Sequence, residues 1–267
     1  MINLVIDDKR IESQEDLTIL QAAKQNGIDI PTLCHHDALE PYGACRLCTV
    51  EVITKKRRRF VTACNYIVRD NMEINTTLPE LTALRRMILE LLLAKCPDIE
   101  IIKSMAKSYD IDKPRFKLEN KECILCGLCV RVCKEIIGAS AIGVVERGAD
   151  AKIDTPFHLS SDICTGCGAC AAICPTGMIQ LRYTNDEVEI QPFNTIVKLR
   201  RCASCGSGLA SEAFVSSVGK KLGDLSTLAL LCNDCKKERK SLALAKSTNY
   251  AARTYDQNPI HRAKRKT

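Results

Sequence analysis

Apolar strand residues in "INLVIDDKRI" at 2–11 flank an Asp-Asp-Lys turn, a pattern that predicts a hairpin. The period then changes. "TILQAAKQNG" at 18–27 reads as a helix, with Thr18 and Gln21 in a capping-box pattern and Gly27 suited to the stop. "CTVEVI" at 48–53 and "RFVTACNYIV" at 59–68 are strand-like, joined by the basic turn "TKKRRR". "PELTALRRMILELLLAK" at 79–95 predicts a helix with Leu81, Leu84, Ile88, Leu91 and Leu92 near one face and Pro97 placed to end it. "DIEIIKSMAKSYDI" predicts a second, shorter helix, and "GASAIGVVERGADAKIDT" a pair of strands. No stretch reaches the ~18 apolar residues of a membrane span. The longest candidate, "MILELLLA" at 87–94, is too short.

Composition changes this picture. Aromatic residues make up 4% of the 267 and tryptophan is absent, so small domains stapled by metal fit better than one large core. Seventeen cysteines supply the staples. "MINLVIDDKRIESQ" has acids where a secretory signal has an apolar run, so the expected compartment is cytoplasmic and the cysteines read as metal ligands rather than disulfides. Residues 236–267 carry ten Lys/Arg against Glu238 and Asp256. That tail therefore holds +8, and the rest of the chain sums to −1 of the net +7. Any partner argument from charge belongs to the tail.

The cysteines form four sets of four, with Cys96 left over. "CILCGLCVRVCK" and "CTGCGACAAICPTG" share the spacing C-x2-C-x2-C-x3-C of a cubane-binding run. A loop can offer three thiolates to one cubane only if it bends around it. Gly127, Gly166 and Gly168 permit the bend and leave backbone N–H groups free to face the sulfides. The fourth ligand comes from the other run. One [4Fe–4S] site (A) is therefore expected at Cys123, Cys126, Cys129 and Cys174, and another (B) at Cys164, Cys167, Cys170 and Cys133. Cys174 precedes the usual proline, Pro175, whereas Cys133 precedes Lys134, which would raise a cluster potential if its side chain points inward. The segment resembles two-cluster ferredoxin domains over about 65 residues, with a longer insert at 134–163.

Cys34, Cys45, Cys48 and Cys64 follow C-x10-C-x2-C-x15-C. Plant-type ferredoxins have a shorter first gap, but four thiolates in a hairpin–helix–loop–strand pattern suit a [2Fe–2S] cluster on a β-grasp frame. "IPTLC" and "GACRLC" resemble the N-terminal domain of the complex I large iron–sulfur subunit. They are similar also to the diaphorase iron–sulfur subunit of NAD-reducing hydrogenases and to iron-only hydrogenase N-termini. The resemblance runs through Cys64 to "LRRMILELLLAK". It implies a flavin subunit handling NAD(H) and a separate catalytic reductase or hydrogenase subunit as partners. The family's additional His-x3-Cys-x2-Cys-x5-Cys site has no counterpart here, and Cys96 reads as a buried thiol. Four cysteines already suffice for the cluster, so His35 and His36 read as its neighbours rather than ligands.

"CASCG" and "CNDC" place Cys202, Cys205, Cys232 and Cys235 in two C-x2-C knuckles, which is zinc-ribbon logic with an unusually long gap. Structural zinc is preferred there to a further cluster or a redox dithiol. The chain shows no dinucleotide or phosphate loop, "GKKLGD" matching neither, and no catalytic constellation. The expected class is α+β. It comprises a [2Fe–2S] β-grasp domain (1–78), a helical linker (79–117), a two-[4Fe–4S] ferredoxin-like domain (118–190), a zinc-ribbon-like module (191–240) and a basic tail (241–267). The expected role is a non-catalytic electron-transfer subunit of a cytoplasmic oxidoreductase complex, bifurcating or not. Two other readings compete. An iron–sulfur subunit of the succinate dehydrogenase or fumarate reductase kind is disfavoured by the long first gap and the two regular runs. A redox-sensing nucleic-acid-binding protein would have to use the last four cysteines and the tail, and basic tails are common and unspecific.

Overall fold

Asp7 and Asp8 reverse the chain with φ of +46° and +64°, the left-handed pair that matches the twist of a two-residue hairpin. They join β1 (Ile2–Ile6) to β2 (Lys9–Ser13), with Ile6 opposite Lys9. The computed structural model of the chain describes residues 1–54, 57–118, 121–184, 186–222 and 230–247. Lys55 and Lys56 of the expected basic turn, Gly223 and Asp224 of "GKKLGD" and the tail beyond 247 lie outside them.

Helix α1 (Ile19–Gln25) starts at the expected capping box: Thr18 Oγ1 accepts from the Gln21 N–H and Gln21 Oε1 from the Thr18 N–H. It ends before Gly27, whose φ is +69°. β3 (Thr49–Thr54), β4 (Arg57–Thr62) and β5 (Met72–Asn75) complete a five-stranded sheet in the order β2-β1-β5-β3-β4. β1 and β5 run parallel, and every other pair is antiparallel. Period-two alternation along the strands accounts for the core. Ile2, Leu4 and Ile6 of β1, Val50 and Val52 of β3, and Met72 and Ile74 of β5 meet Ile19, Leu20, Ala22 and Ala23 of α1. This mixed sheet with one packed helix is consistent with the expected [2Fe–2S] frame. β5 has no counterpart in the sequence reading, since "MEIN" offers only two alternations.

Helix α2 (Pro79–Lys95) has proline in its first turn and ends before Cys96. Its buried stripe is Leu81, Arg85, Leu89 and Leu93; of the expected set Leu81 is buried, Leu84, Ile88 and Leu92 are half-buried, and Leu91 is exposed. Arg85 occupies a core position because three main-chain carbonyls satisfy it. α3 (Glu100–Lys107) packs on α2 through Ile102 and Ala106, and this cluster includes Leu33 and Leu47. The two helices thus back the loops that carry Cys34 and Cys48.

Helix α4 (Leu128–Arg131) runs on as a π-helical turn over Val132–Ile137, and α5 (Ala169–Ile173) follows the second cysteine run. Between them β6 (Gly143–Val145) pairs with β7 (Lys152–Asp154), the expected strand pair.

The chain divides into two compact units. The first comprises Met1–Ile163, Gly168–Gln180 and Gln191–Asn194; the second comprises Cys164–Cys167, Leu181–Ile190 and Thr195–Thr267. In the second, a sheet runs in the order β11-β10-β9-β8, formed by β8 (Gln180–Tyr183), β9 (Glu187–Gln191), β10 (Thr195–Arg201) and β11 (Gly208–Ser211). Helix α6 (Glu212–Leu222) packs on β10 and β11, and α7 (Asn233–Ser247) closes the described chain.

Candidate functional site

The first four cysteines converge as two pairs. Cys34, Cys48 and Cys64 are buried and Cys45 is half-buried. The Cys45 N–H donates to Cys34 Sγ at 3.4 Å. Cys34 shares a side-chain hydrogen bond with Cys45, and Cys48 with Cys64. In each pair one proton serves two sulfurs, so Cys34 and Cys48 are pushed up while Cys45 and Cys64 are pulled down. Two sulfur pairs match the two irons of a [2Fe–2S] rhomb, so this donor set fits that group.

The loop is bent and then clamped. Gly43 and Arg46 have φ of +70° and +60°. Behind the loop, buried Arg85 donates from Nε to Leu47 O at 3.1 Å, from one terminal nitrogen to Thr49 O at 2.9 Å, and from the other to Thr76 O at 2.8 Å. Two of those carbonyls flank Cys48. The guanidinium thereby fixes the backbone of the Cys45–Cys48 turn.

In the first cubane run, burial pushes Cys123 and Cys126 up, and Cys129 to about 12. Negative neighbours add to this at Cys129, namely Cys126, Cys123, Cys174 and Cys170. Cys174 is therefore an electrostatic neighbour of all three. Its own burial acts upward but is outweighed by the Thr176 hydroxyl and by the backbone N–H groups of Thr176, Ile179 and Met178, so it is lowered. Such donors stabilise a thiolate. The Leu125 N–H likewise faces Cys123 Sγ at 3.4 Å. Cys133 Sγ accepts from the Ala141 N–H at 3.3 Å. Cys133 and Cys170 belong to the first unit, and Cys164 and Cys167 to the second.

One residue that sequence reasoning missed ties the first two sets together. Arg131 lies between Cys129 and Cys133 and is 9% exposed. Its terminal nitrogens donate at 2.5 Å to Cys34 O and at 2.5 Å to Glu40 O. Its guanidinium stands 5.4 Å from the centre of the Tyr42 ring. The Glu40 N–H donates in turn to Glu135 Oε2 at 2.9 Å. Around these bonds Cys34 and Leu39 pack with Cys126, Leu128 and Val132. Lys134, which would act on a cluster only by pointing inward, is exposed, so the buried positive charge of this helix is Arg131 instead. No local pattern marks it, because its partners lie 91 and 97 residues away.

The histidines sit beside the first set. His35 Nε2 is 3.3 Å from Asp37 Oδ1, and His36 Nδ1 accepts from the Ala38 N–H at 3.2 Å. Cys96 is fully buried and pushed up to about 11 by that burial.

The last four cysteines are arranged differently. Cys202 and Cys205 form the turn of the β10–β11 hairpin, where the Cys202 N–H donates to Ser207 O at 2.8 Å. Cys232 and Cys235 open α7. The Cys232 N–H faces Cys202 Sγ at 3.3 Å, and the Cys205 and Cys232 sulfurs are 3.7 Å apart. All four sulfurs lie within 4.8 Å of one another, and no other set among the described residues comes so close. Backbone N–H groups of Cys205, Cys232 and Ser204 hold Cys202 down to about 6.

Two family models match the chain: a 2Fe-2S iron-sulfur cluster binding domain over residues 1–79 and a 4Fe-4S dicluster domain over residues 122–178. The chain is an iron–sulfur protein. This iron–sulfur protein is 32% identical over 238 residues to an NADH-quinone oxidoreductase component of Rhizobium meliloti, a match spanning 78% of the chain and 27% of the relative. It is 36% identical over 241 residues to NADPH-Fe(3+) oxidoreductase subunit alpha of Geobacter sulfurreducens, spanning 79% of the chain and 28% of the relative. Among solved structures it resembles a chain of an NAD+-reducing [NiFe]-hydrogenase in the H2-reduced state, with a TM-score of 0.51 and 25% identity over 58% of this chain and 74% of that one. The iron–sulfur protein spans little more than a quarter of the length of those two curated relatives. No helix among its described residues is long and apolar enough to cross a membrane.

Proposed function

We propose that the chain relays electrons within a multi-subunit oxidoreductase of the cytoplasm. Its partners are a diaphorase-type flavin subunit that handles NAD(H) and a catalytic reductase or hydrogenase subunit. One [2Fe–2S] cluster is assigned to Cys34, Cys45, Cys48 and Cys64. Two [4Fe–4S] clusters are assigned to Cys123, Cys126, Cys129 and Cys174, and to Cys164, Cys167, Cys170 and Cys133. When bound, these groups accept and pass single electrons. The residues of the chain fix their spacing, exclude water and set the local charge.

The observation that carries this reading is the buried contact between the first cysteine loop and the first cubane run. Cys34 and Cys126 belong to one buried cluster, and Arg131 of the cubane run donates to the Cys34 carbonyl. A wire needs adjacent redox centres held at a fixed short separation, and this contact supplies one such junction within a single compact unit. The names of the relatives, an NADH-quinone and an NADPH-Fe(3+) oxidoreductase, support a nicotinamide-linked complex.

Zinc is assigned to Cys202, Cys205, Cys232 and Cys235. Sulfur arms of ~2.3 Å put the corners of a zinc tetrahedron roughly 3.8 Å apart, in keeping with the 3.7 Å between Cys205 and Cys232. The first knuckle is a hairpin turn, as in a zinc ribbon, while the second opens a helix. The proposed organisation keeps the boundaries 1–78, 79–117, 118–190, 191–240 and 241–267.

Anaerobic purification of the native complex with metal analysis tests the assignment. About ten iron and about one zinc per chain are expected, alongside a flavoprotein subunit. About six iron would remove one cubane, and co-purification with a succinate or fumarate enzyme would move the chain to another complex. Salt-dependent nucleic-acid binding without partner subunits would replace the relay altogether.

A further inference from the structure

The expected domain boundary at 190 separates the second cubane run from the last four cysteines. The compact units divide the chain elsewhere: Cys164–Cys167, the first half of that run, falls in the same unit as the four-cysteine module. Two contacts within this unit hold the loop, and a third ties them to a helix. Fully buried Ser211, the last residue of β11, donates its hydroxyl to Thr165 O. Gly166, at φ +61°, lies against the sheet so closely that an added Cβ would stand 3.2 Å from Val188 Cγ1 and 3.3 Å from the Cβ atoms of Val197 and Ser211. The same Ser211 oxygen accepts from the Phe214 N–H at 3.0 Å, capping α6. One buried hydroxyl thus joins the cysteine loop, a sheet strand and a helix start.

The strand that bears Ser211 is the return arm of the hairpin whose turn is the Cys202–Cys205 knuckle. Leu199 pairs with Ser211, and the register shifts by a bulge at Arg200/Arg201, immediately before Cys202. Four sulfurs within 4.8 Å tie this turn to the start of α7. A metal at that point closes the hairpin at the end where its ladder is irregular. The Cys164–Cys167 loop offers a further sign of fit to a bound group. Thr165 Oγ1 is buried without a hydrogen-bond partner, in the middle of the loop that carries two thiolates. A buried hydroxyl without an acceptor is costly, and a cluster sulfur beside the loop would supply one.

We infer that the C-terminal four-cysteine site is a structural metal site whose occupancy holds the Cys164–Cys167 loop in place through β11 and Ser211, so that this metal governs the loading and potential of cluster B. Ser211 is a positioning residue. The inference rests on the zinc assignment proposed above and on the assignment of Cys164 and Cys167 to cluster B.

The test uses the full chain, purified anaerobically, with zinc and iron counted and the clusters followed by redox-titrated EPR. The cluster B signal is identified as the one lost in Cys167→Ser. In Cys235→Ser, zinc is expected to fall from about one per chain to near zero. The cluster B signal is expected to disappear or shift its midpoint, with the [2Fe–2S] and cluster A signals unmoved. In Ser211→Ala, zinc is expected to stay while cluster B alone shifts. Zinc lost with cluster B unchanged overturns the inference and leaves the zinc assignment standing. A wild-type chain with about fourteen iron and no zinc overturns the zinc assignment itself. An unchanged cluster B midpoint in Ser211→Ala overturns the positioning role whichever metal is found.

Discussion

The chemistry of individual residues is divided between sulfurs that bind and arginines that hold. Arg131 places a largely buried positive charge against the Cys34 carbonyl and within electrostatic reach of Cys126. Reduction makes a cluster more negative, so a cation there favours the reduced form and raises the potential. Arg131→Gln is therefore expected to lower the midpoints of the [2Fe–2S] and the first cubane by on the order of 50 mV, close to a tenfold change in a one-electron equilibrium. Arg131→Lys is expected to recover most of this charge effect without the paired contacts to Cys34 O and Glu40 O. EPR-monitored titration reads both, and unchanged midpoints in Arg131→Gln would sink the role. The cysteines are legible in the sequence because ligand spacing is a local property of each loop. Arg131 and Arg85 are not, because a guanidinium aimed at distant carbonyls leaves no local trace. Arg85 even takes a place in an otherwise apolar helix stripe.

Secondary elements carry the cysteine loops and set how firmly they are backed. The capping box at α1 is readable from sequence, since both partners lie within one turn. Thr18→Ala is expected to cost about 1 kcal/mol of stability, measured by denaturant titration, without changing the cluster spectra. A second anchor is less visible. Arg115 donates from Nε and a terminal nitrogen to Glu90 at 2.7 Å each, and its backbone N–H adds a third bond of 2.7 Å, tying the segment before the first cubane run to α2. The Arg115 hydrogen bonds hold the Glu90 carboxyl down to about 2. A carboxyl lowered on folding contributes stability above its unfolded value of ~4.3, and that contribution is lost as pH falls through the folded value. Glu90→Gln is expected to lower the Tm at pH 7, with the difference from wild type closing between about pH 4 and pH 2. A pH-independent difference would exclude the ionic contribution. Helix α2 is readable to its last residue from Pro79 and Pro97, whereas its buried face is displaced because the leucines outnumber the positions that the sheet and α3 cover.

At the scale of the whole molecule, the least legible feature is the division into units. Composition and spacing group residues that are neighbours in sequence, so the second cubane run looks indivisible. Packing instead assigns Cys164–Cys167 to the second unit, where Gly166 lies so close to the sheet that an added Cβ would stand 3.2 Å from Val188 Cγ1. Two compact units predict two thermal transitions in calorimetry of the anaerobic protein. A zinc chelator is expected to lower the transition of the second unit and leave that of the first in place, because a metal bound only by the folded state stabilises only the unit that holds it. A single transition indifferent to the chelator would count against both the division and the metal.

Arg131 has a consequence of another kind. Both of its short hydrogen bonds end on main-chain oxygens, and every amino acid presents the same oxygen there. Position 40 is thus free to drift while its carbonyl keeps its part in the junction, whereas position 131 has no substitute of equal reach and fork geometry. The join between the two cluster-bearing regions is written in backbone shape on one side and in a single residue on the other. A lineage could rewrite much of the first surface without loosening the wire, provided the loop kept its path and the arginine kept its place.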